Sequence, residues 1–192
     1  MASRIKNIID KTLSKGWATL SEMSFDYKMS SGDWVRKKRE SYNRGDGATI
    51  LLYNKGKGTV ILVKQFRISA FLNDSKSGFV LETCAGMLDK DNPETCVIRE
   101  VEEETGYRIK NVKKVFEAYS SPGALTEKLY YFIGEYSAEM KVSAGGGLES
   151  EQEDIEVLEV SFESALKGIE TGEIEDAKTI ILLQYAQINN LI

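Results

Sequence analysis

The chain has 192 residues, of which 42% are hydrophobic and 29% charged, and its formal net charge is −5. This composition is typical of a globular protein with one core, or one core and a small appendage. A net acidic chain is unlike nucleic-acid-binding proteins, which need a basic surface. The sequence contains no histidine, which excludes Ser-His-Asp triads, Cys-His nucleophiles and HExxH zinc sites. Proton transfer must therefore use carboxylates, Lys, Tyr or metal-bound water.

Two cysteines, Cys84 and Cys96, are too few for a disulfide framework or a zinc site. Both lie among apolar residues, so we expect reduced core thiols in a cytoplasmic protein. The N-terminus lacks the apolar core of a signal peptide, and no segment approaches the ~20 apolar residues of a membrane span. No membrane partner is expected.

Apolar residues recur at helical spacing over residues 3–15, with Gly16 after them, and predict a helix. Two stretches that alternate apolar and polar residues then predict an antiparallel strand pair at 17–29 and 34–44. This N-terminal unit, residues 1–45, is too small to hold a core of its own. We therefore expect it to pack on another surface.

The remainder of the chain, residues 46–192, alternates strand and helix patterns. Strands are predicted at 48–53, 59–65, 79–83, 112–119, 128–137 and 154–160. A helix at 93–105 can be capped by Asp91 or Asn92, begins with Pro93 and ends at Gly106. A Gly- and Glu-rich loop at 138–152 and helices at 161–171 and 177–189 follow. This mixture predicts an α/β/α sandwich with helices on both faces of a mixed sheet.

The segment Arg99–Tyr107, REVEEETGY, concentrates carboxylates on one side of the predicted helix. Glu100, Glu103 and Glu104 are three and four residues apart, so they are neighbours on the helix surface. They lie beside an apolar stripe, where half-buried like charges are costly without a cation. Oxygen ligands of this kind suit Mg²⁺ or Mn²⁺. The alternative is a solvated acidic helix face.

The longer segment Gly86–Tyr107 resembles the Nudix box, GX5EX7REUXEEXGU, where U is an aliphatic or aromatic residue. Its second half is matched in full from Arg99 onward. In the first half, Gly86 lies one residue too close to Arg99, and Asp91 or Asn92 replaces the early Glu. The resemblance implies a Nudix α/β/α fold and metal-dependent hydrolysis of a nucleoside diphosphate linked to another group.

This resemblance assigns roles to residues of the box. Glu100 and Glu104 would be the principal metal ligands, and Glu103 would support or join them. The backbone carbonyl of Ala85 would complete the metal shell. Arg99 is expected to orient a neighbouring carboxylate.

A second acidic element lies in the loop at Glu151–Ile155, EQEDI. It is similar to an E-x-E-D-I element of the ADP-ribose-pyrophosphatase-like branch of the family. That likeness implies Glu153 as a metal ligand and Glu151 as the catalytic base, although the two roles could be exchanged. The alternative is a mobile, solvated loop, which the preceding glycines would allow to swing.

Pro122 lies sixteen residues after Gly106, an offset that marks the same branch. Further motifs recur in order along nearly the whole chain, and they resemble bacterial members that hydrolyse GDP-mannose to GMP and mannose 1-phosphate. The resemblance therefore implies a nucleotide-sugar substrate. ADP-ribose hydrolysis and a catalytically inactive nucleotide-sugar sensor remain alternatives.

Substrate contacts follow from the same likeness. Arg67 would clamp the diphosphate, because a guanidinium can bind it with two hydrogen bonds. Glu127 could accept hydrogen bonds from sugar hydroxyls, and Lys178 could reach a phosphate or the sugar. A surface ion pair is the alternative for Arg67, and a solvated position is the alternative for Glu127 and Lys178.

Related enzymes are homodimers that exchange N-terminal strands, and such a dimer is expected here. Trp17 would stack on the base, and Glu40 could accept the N–H donors of guanine that adenine lacks. Interface packing and a charged strand face are the alternatives. The residues expected to contact substrate are Trp17, Lys38, Arg39, Glu40, Arg67, Ala85, Gly86, Met87, Glu104, Glu127, Gln152 and Lys178.

Overall fold

Three long strands form the N-terminal sheet of the computed structural model, which describes residues 3–73 and 77–192. They are β1 (Ile5–Lys15), β2 (Thr19–Lys28) and β3 (Trp34–Asn43), in the order β1-β2-β3 with antiparallel neighbours. The β2–β3 turn is closed by hydrogen bonds from the Met29 N–H to the Asp33 carbonyl (2.8 Å) and from the Gly32 N–H to the Met29 carbonyl (3.0 Å). The predicted strand pair is confirmed.

The helix predicted over residues 3–15 is wrong, because this segment is strand β1. Its pairing with β2 shifts register between Lys6 and Ile9 and again between Thr12 and Ser14. Each irregularity changes the phase of the side chains relative to the sheet. Apolar residues that would alternate along a regular strand therefore recur at a helix-like spacing. All residues of β1 are exposed.

The N-terminal sheet belongs to the first of two compact units, which also includes Tyr119–Leu129. That later segment joins the sheet through hydrogen bonds from the Tyr42 N–H to the Ala124 carbonyl (2.8 Å) and from the Thr126 N–H to the Tyr42 carbonyl (3.1 Å). The sequence alone did not indicate this association. The second unit comprises Gly47–Ala118 and Tyr130–Ile192.

A seven-stranded sheet organises the second unit, with the order β10-β5-β4-β9-β8, β6 paired to β5 and β7 paired to β4. Its strands are β4 (Gly47–Asn54), β5 (Thr59–Phe66), β6 (Phe79–Glu82), β7 (Cys84–Met87), β8 (Lys113–Tyr119), β9 (Lys128–Glu135) and β10 (Glu156–Ser161). Every strand predicted for this part of the chain is present. The segment predicted as one strand at 79–83 is followed by a second short strand, β7.

The helices are α1 (Ile68–Leu72), α2 (Pro93–Glu100), α3 (Phe162–Thr171) and α4 (Ala177–Ile188). Asn92 caps α2 by accepting the Thr95 N–H at 2.9 Å, Pro93 occupies its first turn, and Gly106 ends the helical segment at φ 73°. The last turn of this segment, Val101–Thr105, is a π-helix that the sequence did not predict. Within the described residues, none of these helices has the length and apolarity needed to cross a bilayer.

Alternate residues of β4 face two different layers, because successive side chains of a strand point to opposite faces. Ala48, Ile50 and Leu52 belong to the buried cluster that also contains residues of α2. On the other face, the Thr49 hydroxyl lies 2.9 Å from that of Thr83, which lies 3.3 Å from the hydroxyl of Thr179 in α4. The predicted α/β/α sandwich is confirmed.

Candidate active site

The carboxylates of the catalytic motif lie on α2 and its π-helical continuation. Cys96, Val97 and Val101 of the same segment are fully buried and fix its apolar face against the sheet. Glu104 is drawn into the interior with them and is 2% exposed, and its Oε2 has no hydrogen-bond partner among the described residues. Such an oxygen is costly to bury without a compensating donor or cation.

Strand β7 passes close to Glu100. A Cβ atom added to Gly86 would overlap the Glu100 carboxyl group, so glycine is required for the carboxylate to occupy its position. Ala85, Gly86 and Met87 are all half-buried. Strand β7 thus lies beside the Glu100 carboxylate, and the ligand role of the Ala85 carbonyl stays a prediction.

The two buried carboxylates hold their protons strongly. Burial raises the pKa of Glu100 to about 7, and the charges of Glu103 and Glu153 add to this while Arg99 opposes it. Burial also raises the pKa of Glu104 to about 8, with a hydrogen bond from Cys84 opposing the rise. The charges of Glu100 and Glu153 raise the pKa of Glu104 further. The site thus concentrates more negative charge than its own cations neutralise.

Arg99 pairs with two carboxylates of the motif, as expected. Its guanidinium lies 2.8 Å from Glu100 Oε1 and 2.8 Å from Glu103 Oε2. In this arrangement Glu103 faces Arg99. Over residues 3–73 and 77–192, no group of three or more acidic or thiol side chains is drawn together closely enough to hold a metal ion.

The donor set nevertheless fits a hard divalent cation. Glu104 Oε2 is buried without a partner among the described residues. Burial raises the pKa of both Glu100 and Glu104, Glu153 raises both further, and Glu100 adds to the rise at Glu104. A cation between these carboxylates would satisfy the free oxygen and relieve the repulsion. The residues that could hold it are Glu100, Glu104, Glu153 and the carbonyl of Ala85.

The glycine-rich loop is docked on the end of the catalytic helix. The Gly146 N–H donates to the Glu104 carbonyl at 2.8 Å, and the Gly147 N–H donates to the Glu103 carbonyl at 3.2 Å. The Ile155 N–H returns to the Gly146 carbonyl at 3.2 Å. These bonds hold the loop in place and disfavour the alternative of a freely solvated segment.

The docked loop places Glu151 and Glu153 in different surroundings. Glu153 is half-buried, accepts the Leu148 N–H at 3.0 Å and acts electrostatically on Glu100 and Glu104. Glu151 and Gln152 are exposed, and Gln152 adopts a left-handed conformation with φ 58°. The structure therefore brings Glu153, but not Glu151 or Gln152, to the carboxylate cluster.

Arg67 and Lys178 converge on one carboxylate, that of Glu82. Arg67 Nε and Nη2 each donate to it at 2.8 Å, and Lys178 Nζ donates at 2.8 Å. Glu82 is only 3% exposed. Both residues predicted to bind substrate phosphates are thus held by a buried acid in the second unit.

The other predicted substrate residues belong to the first unit. Glu127 is buried, forms an ion pair with Arg44 and accepts the Ser120 hydroxyl at 2.5 Å. Trp17 is 71% exposed, and the Arg44 guanidinium lies 5.9 Å from its ring centre. The solvated alternative for Glu127 is not found, because its carboxylate is buried.

The segment Lys38–Glu40 lies on the exposed strand β3. Lys38 Nζ donates to Glu22 at 3.0 Å, and Arg39 Nη1 donates to the Lys38 carbonyl at 2.7 Å. Glu40 is exposed and lies directly across the β2–β3 pair from Glu22. Two carboxylates in register across a strand pair are destabilising, so the local sheet does not account for Glu40.

Comparison with known proteins assigns the chain to a family. The model of the NUDIX domain matches residues 43–183, and that of the GDP-mannose pyrophosphatase NudK N-terminal domain matches residues 4–42. The chain belongs to the Nudix family. This confirms the Nudix hydrolase predicted from the motif, and members of the family generally use divalent metal ions.

Sequence relatives match the chain over its entire length. Proteins named GDP-mannose pyrophosphatase from Shigella dysenteriae serotype 1 and Escherichia coli O157:H7 are 50% identical over 192 residues, covering 100% of both chains in each comparison. A protein of the same name from Escherichia coli O1:K1 is 50% identical over 191 residues, 100% of this chain and 99% of its own.

Three residues that interact with predicted site residues were not singled out from the sequence. Glu82 ends a short apolar strand and resembles a surface residue at a strand end, but an acid that ends an apolar run was a usable signal. Cys84 was expected to be only a core residue, whereas its thiol acts to lower the pKa of the Glu104 carboxyl. Arg44 carries no motif and could not be found without the fold.

Proposed function

We propose that the protein hydrolyses the diphosphate bond of GDP-mannose, giving GMP and mannose 1-phosphate, with Mg²⁺ as the metal. The observation that carries the proposal is the buried Glu104 Oε2, which lacks a hydrogen-bond partner in the described part of the chain and belongs to a crowded carboxylate cluster. The full-length relatives that bear the name GDP-mannose pyrophosphatase support the choice of nucleotide sugar.

The reaction needs a water molecule to attack phosphorus while the bridging P–O bond breaks and the leaving phosphate takes the bond electrons. A divalent cation, when bound, supplies Lewis acidity to the diphosphate oxygens. Glu100, Glu104, Glu153 and the carbonyl of Ala85 would hold that cation. Glu103 would support them through its ion pair with Arg99.

The attacking water must lose a proton, and without histidine a carboxylate has to accept it. By resemblance Glu151 is the candidate base, and Gln152 lies beside the substrate. Both are exposed on the docked loop, so Glu151 would act from the open side of the site. Glu153, whose charge acts on Glu100 and Glu104, would keep the ligand role.

The remaining residues would bind the nucleotide sugar. Arg67 and Lys178 would contact the phosphates, and the backbone at Gly86 and Met87 would line the site beside Glu100. Glu127, held by Arg44 and Ser120, would accept hydrogen bonds from the sugar. A carboxylate so held keeps a fixed direction, which suits the recognition of hydroxyl groups.

The guanine base would be recognised from the N-terminal sheet. Trp17 is exposed and offers an aromatic face for stacking. Lys38, Arg39 and Glu40 would supply polar contacts, with Glu40 accepting the N–H groups of guanine. The exposure of this segment and the unfavourable pairing of Glu40 with Glu22 support a role in binding rather than in folding.

We also propose a homodimer built through the N-terminal sheet. Ile5, Ile8, Ile9 and Leu13 of β1 are 44–61% exposed, an unusual state for four aliphatic residues of one strand. Light scattering should give twice the 21.5 kDa chain mass, and Ile9→Asp should shift it towards the monomer. A monomeric wild-type protein at micromolar concentration would contradict the dimer.

The first test of function is phosphate release coupled to a phosphatase, with Mg²⁺ and GDP-mannose, GDP-glucose, ADP-ribose or ADP-glucose. We expect GDP-mannose to give the highest kcat/KM and Glu104→Gln to abolish turnover. A preference for ADP-ribose would retain the chemistry and overturn the substrate. Binding without turnover of any nucleotide sugar would indicate a sensor.

A further inference from the structure

The buried carboxylate of Glu82 accepts three charge-assisted hydrogen bonds. Arg67 Nε reaches Oε1 at 2.8 Å, Arg67 Nη2 reaches Oε2 at 2.8 Å, and Lys178 Nζ reaches Oε2 at 2.8 Å. Burial opposes the ionised form, but the hydrogen bonds and charges of Arg67 and Lys178 outweigh it and hold the pKa of Glu82 below its usual value. Glu82 is therefore a fixed anion between two cations.

Arg67 keeps part of its hydrogen-bonding capacity free in this arrangement. A guanidinium has five N–H donors in a planar fork, and Glu82 uses the side formed by Nε and Nη2. The three other N–H groups, two on Nη1 and one on Nη2, make no hydrogen bond to the described residues. The Arg67 side chain is 43% exposed, so that free edge can meet a ligand.

Lys178 lies at the start of a helix, which is an unfavourable position for a cation. It lies in the first turn of α4, where the helix dipole repels a cation. Glu82 and Asp176, at 2.8 and 3.0 Å, compensate for this repulsion. An ammonium group has three N–H donors, so two are used and one remains for a ligand.

The pair also lies within electrostatic reach of the carboxylate cluster. The charges of Arg67 and Glu104 stabilise each other. The backbone from Glu82 to Cys84 joins the two groups, because the buried Cys84 thiol acts on Glu104 and opposes the rise of its pKa. Between them, the Thr83 N–H donates to the Thr179 hydroxyl at 2.7 Å, next to Lys178.

We propose that Glu82 is a positioning residue for diphosphate binding, presenting the free edges of Arg67 and Lys178 to the same anion. Together with Asp176 the four side chains carry no net charge, so orientation rather than excess positive charge would recruit the diphosphate. The inference rests on the proposed function for its substrate. The positioning role of Glu82 itself concerns only the binding of a pyrophosphate group.

A sign difference makes this proposal testable. Glu82→Gln removes a negative charge beside an anion site, so electrostatics alone predicts tighter binding of an anion. Loss of positioning predicts weaker binding. The amide nitrogen of Gln cannot accept a hydrogen bond, so it would repel an N–H group of Arg67 or Lys178 that now donates to Glu82. A role limited to anchoring α4 predicts a lower Tm with binding unchanged.

The experiment is calorimetric titration of inorganic pyrophosphate into the metal-free protein, paired with steady-state kinetics on GDP-mannose and Mg²⁺. We expect Glu82→Gln to weaken pyrophosphate binding about tenfold or more and to raise KM by a similar factor, with kcat changed much less. In an Arg67→Ala background, Glu82→Gln should cause little further loss. Glu159→Gln, which removes another ion-paired carboxylate of the second unit, should leave both readouts near wild type.

Arg67→Lys supplies a second test if Glu82→Gln folds poorly. It keeps the charge but cannot hold Glu82 and a phosphate through two edges at once, so pyrophosphate binding should again weaken. Unchanged or tighter binding in both variants, or no pyrophosphate binding by the wild type, would overturn the proposal. If positioning holds but GDP-mannose is not hydrolysed, the proposed substrate fails and the role of Glu82 stands.

Discussion

The carboxylate of Glu100 occupies the space that a side chain at position 86 would fill. A Cβ atom on Gly86 would overlap the end of the Glu100 side chain and no backbone atom is among its nearest neighbours. The φ of Gly86 is not in the left-handed region. Glycine is needed here for the position of a carboxylate and not for the path of the chain.

Gly86→Ala should therefore separate activity from stability. The methyl group would displace the flexible Glu100 carboxylate, so we expect kcat/KM and apparent Mg²⁺ affinity to fall about 10- to 100-fold while Tm changes little. Gly56→Ala, in the turn between β4 and β5 with only an ordinary contact at 3.5 Å, is the matched control. A large loss of Tm with normal Mg²⁺ affinity would contradict this account.

The metal-free protein should lose stability as pH rises. Burial raises the folded-state pKa of Glu100 to about 7 and of Glu104 to about 8, from a usual 4.5. Between pH 5 and 8 the folded state therefore binds more protons than the unfolded state, so its free energy of unfolding falls with increasing pH. Each extra proton contributes a slope of about 1.4 kcal/mol per pH unit.

Thermal unfolding in EDTA between pH 5 and 8 measures this slope, and Mg²⁺ should restore Tm most strongly at the upper end. Glu104→Gln should flatten the EDTA profile because it removes one of the two titrating groups. A Tm that rises with pH in EDTA would show that these carboxylates are not protonated in the folded protein.

Substitutions of Glu151 and Glu153 in the docked loop should differ in their kinetic effects. Glu153→Gln is expected to lower kcat by about 100-fold or more and to weaken Mg²⁺ binding, because the charge of Glu153 acts on Glu100 and Glu104. Glu151→Gln is expected to lower kcat while leaving Mg²⁺ binding unchanged, as a base would. Titration with Mg²⁺ alongside initial rates distinguishes the two roles. Weakened Mg²⁺ binding in Glu151→Gln alone would exchange them.

Glu40→Gln should reduce the preference for a guanine nucleotide. The amide would lose one acceptor for the N–H groups of guanine and would gain a donor, so the ratio of kcat/KM for GDP-mannose to ADP-mannose should fall about tenfold. Removing the Glu22–Glu40 repulsion should leave Tm unchanged or slightly higher. An unaltered ratio would remove Glu40 from base recognition.

The sequence predicted most of the second unit because its signals are local. Asn92, Pro93 and Gly106 fix the ends of the catalytic helix through capping, fixed φ and a left-handed turn. Strand β1 was mistaken for a helix because its two register shifts depend on pairing with β2, which a single segment does not reveal.

The site was predictable in composition but not in geometry. The motif indicated Glu100, Glu103 and Glu104, but the π-helical turn beginning at Val101 alters the helical register, and a single-sequence pattern does not reveal it. In this turn Glu104 is buried, and Glu103 pairs with Arg99 four residues earlier. Arg67 and Lys178 converge on Glu82. Lys178 lies 96 positions from Glu82 in the chain, so only the fold can bring them together.

The docking of Gly146 and Gly147 on the helix end fixes the length of this loop but not the identity of all its side chains. Backbone hydrogen bonds from Gly146 and Gly147 tie one end of the loop to the helix, and the other end is tied where Glu153 accepts the Leu148 N–H at 3.0 Å.

 Glu149 and Ser150 lie between these ties and are exposed. These two positions can therefore accept new side chains, but the loop cannot accept inserted or deleted residues, since a change in length would pull Glu153 out of place. A library at positions 149 and 150 could diversify the substrate range of the enzyme while leaving the carboxylates proposed to bind metal in position.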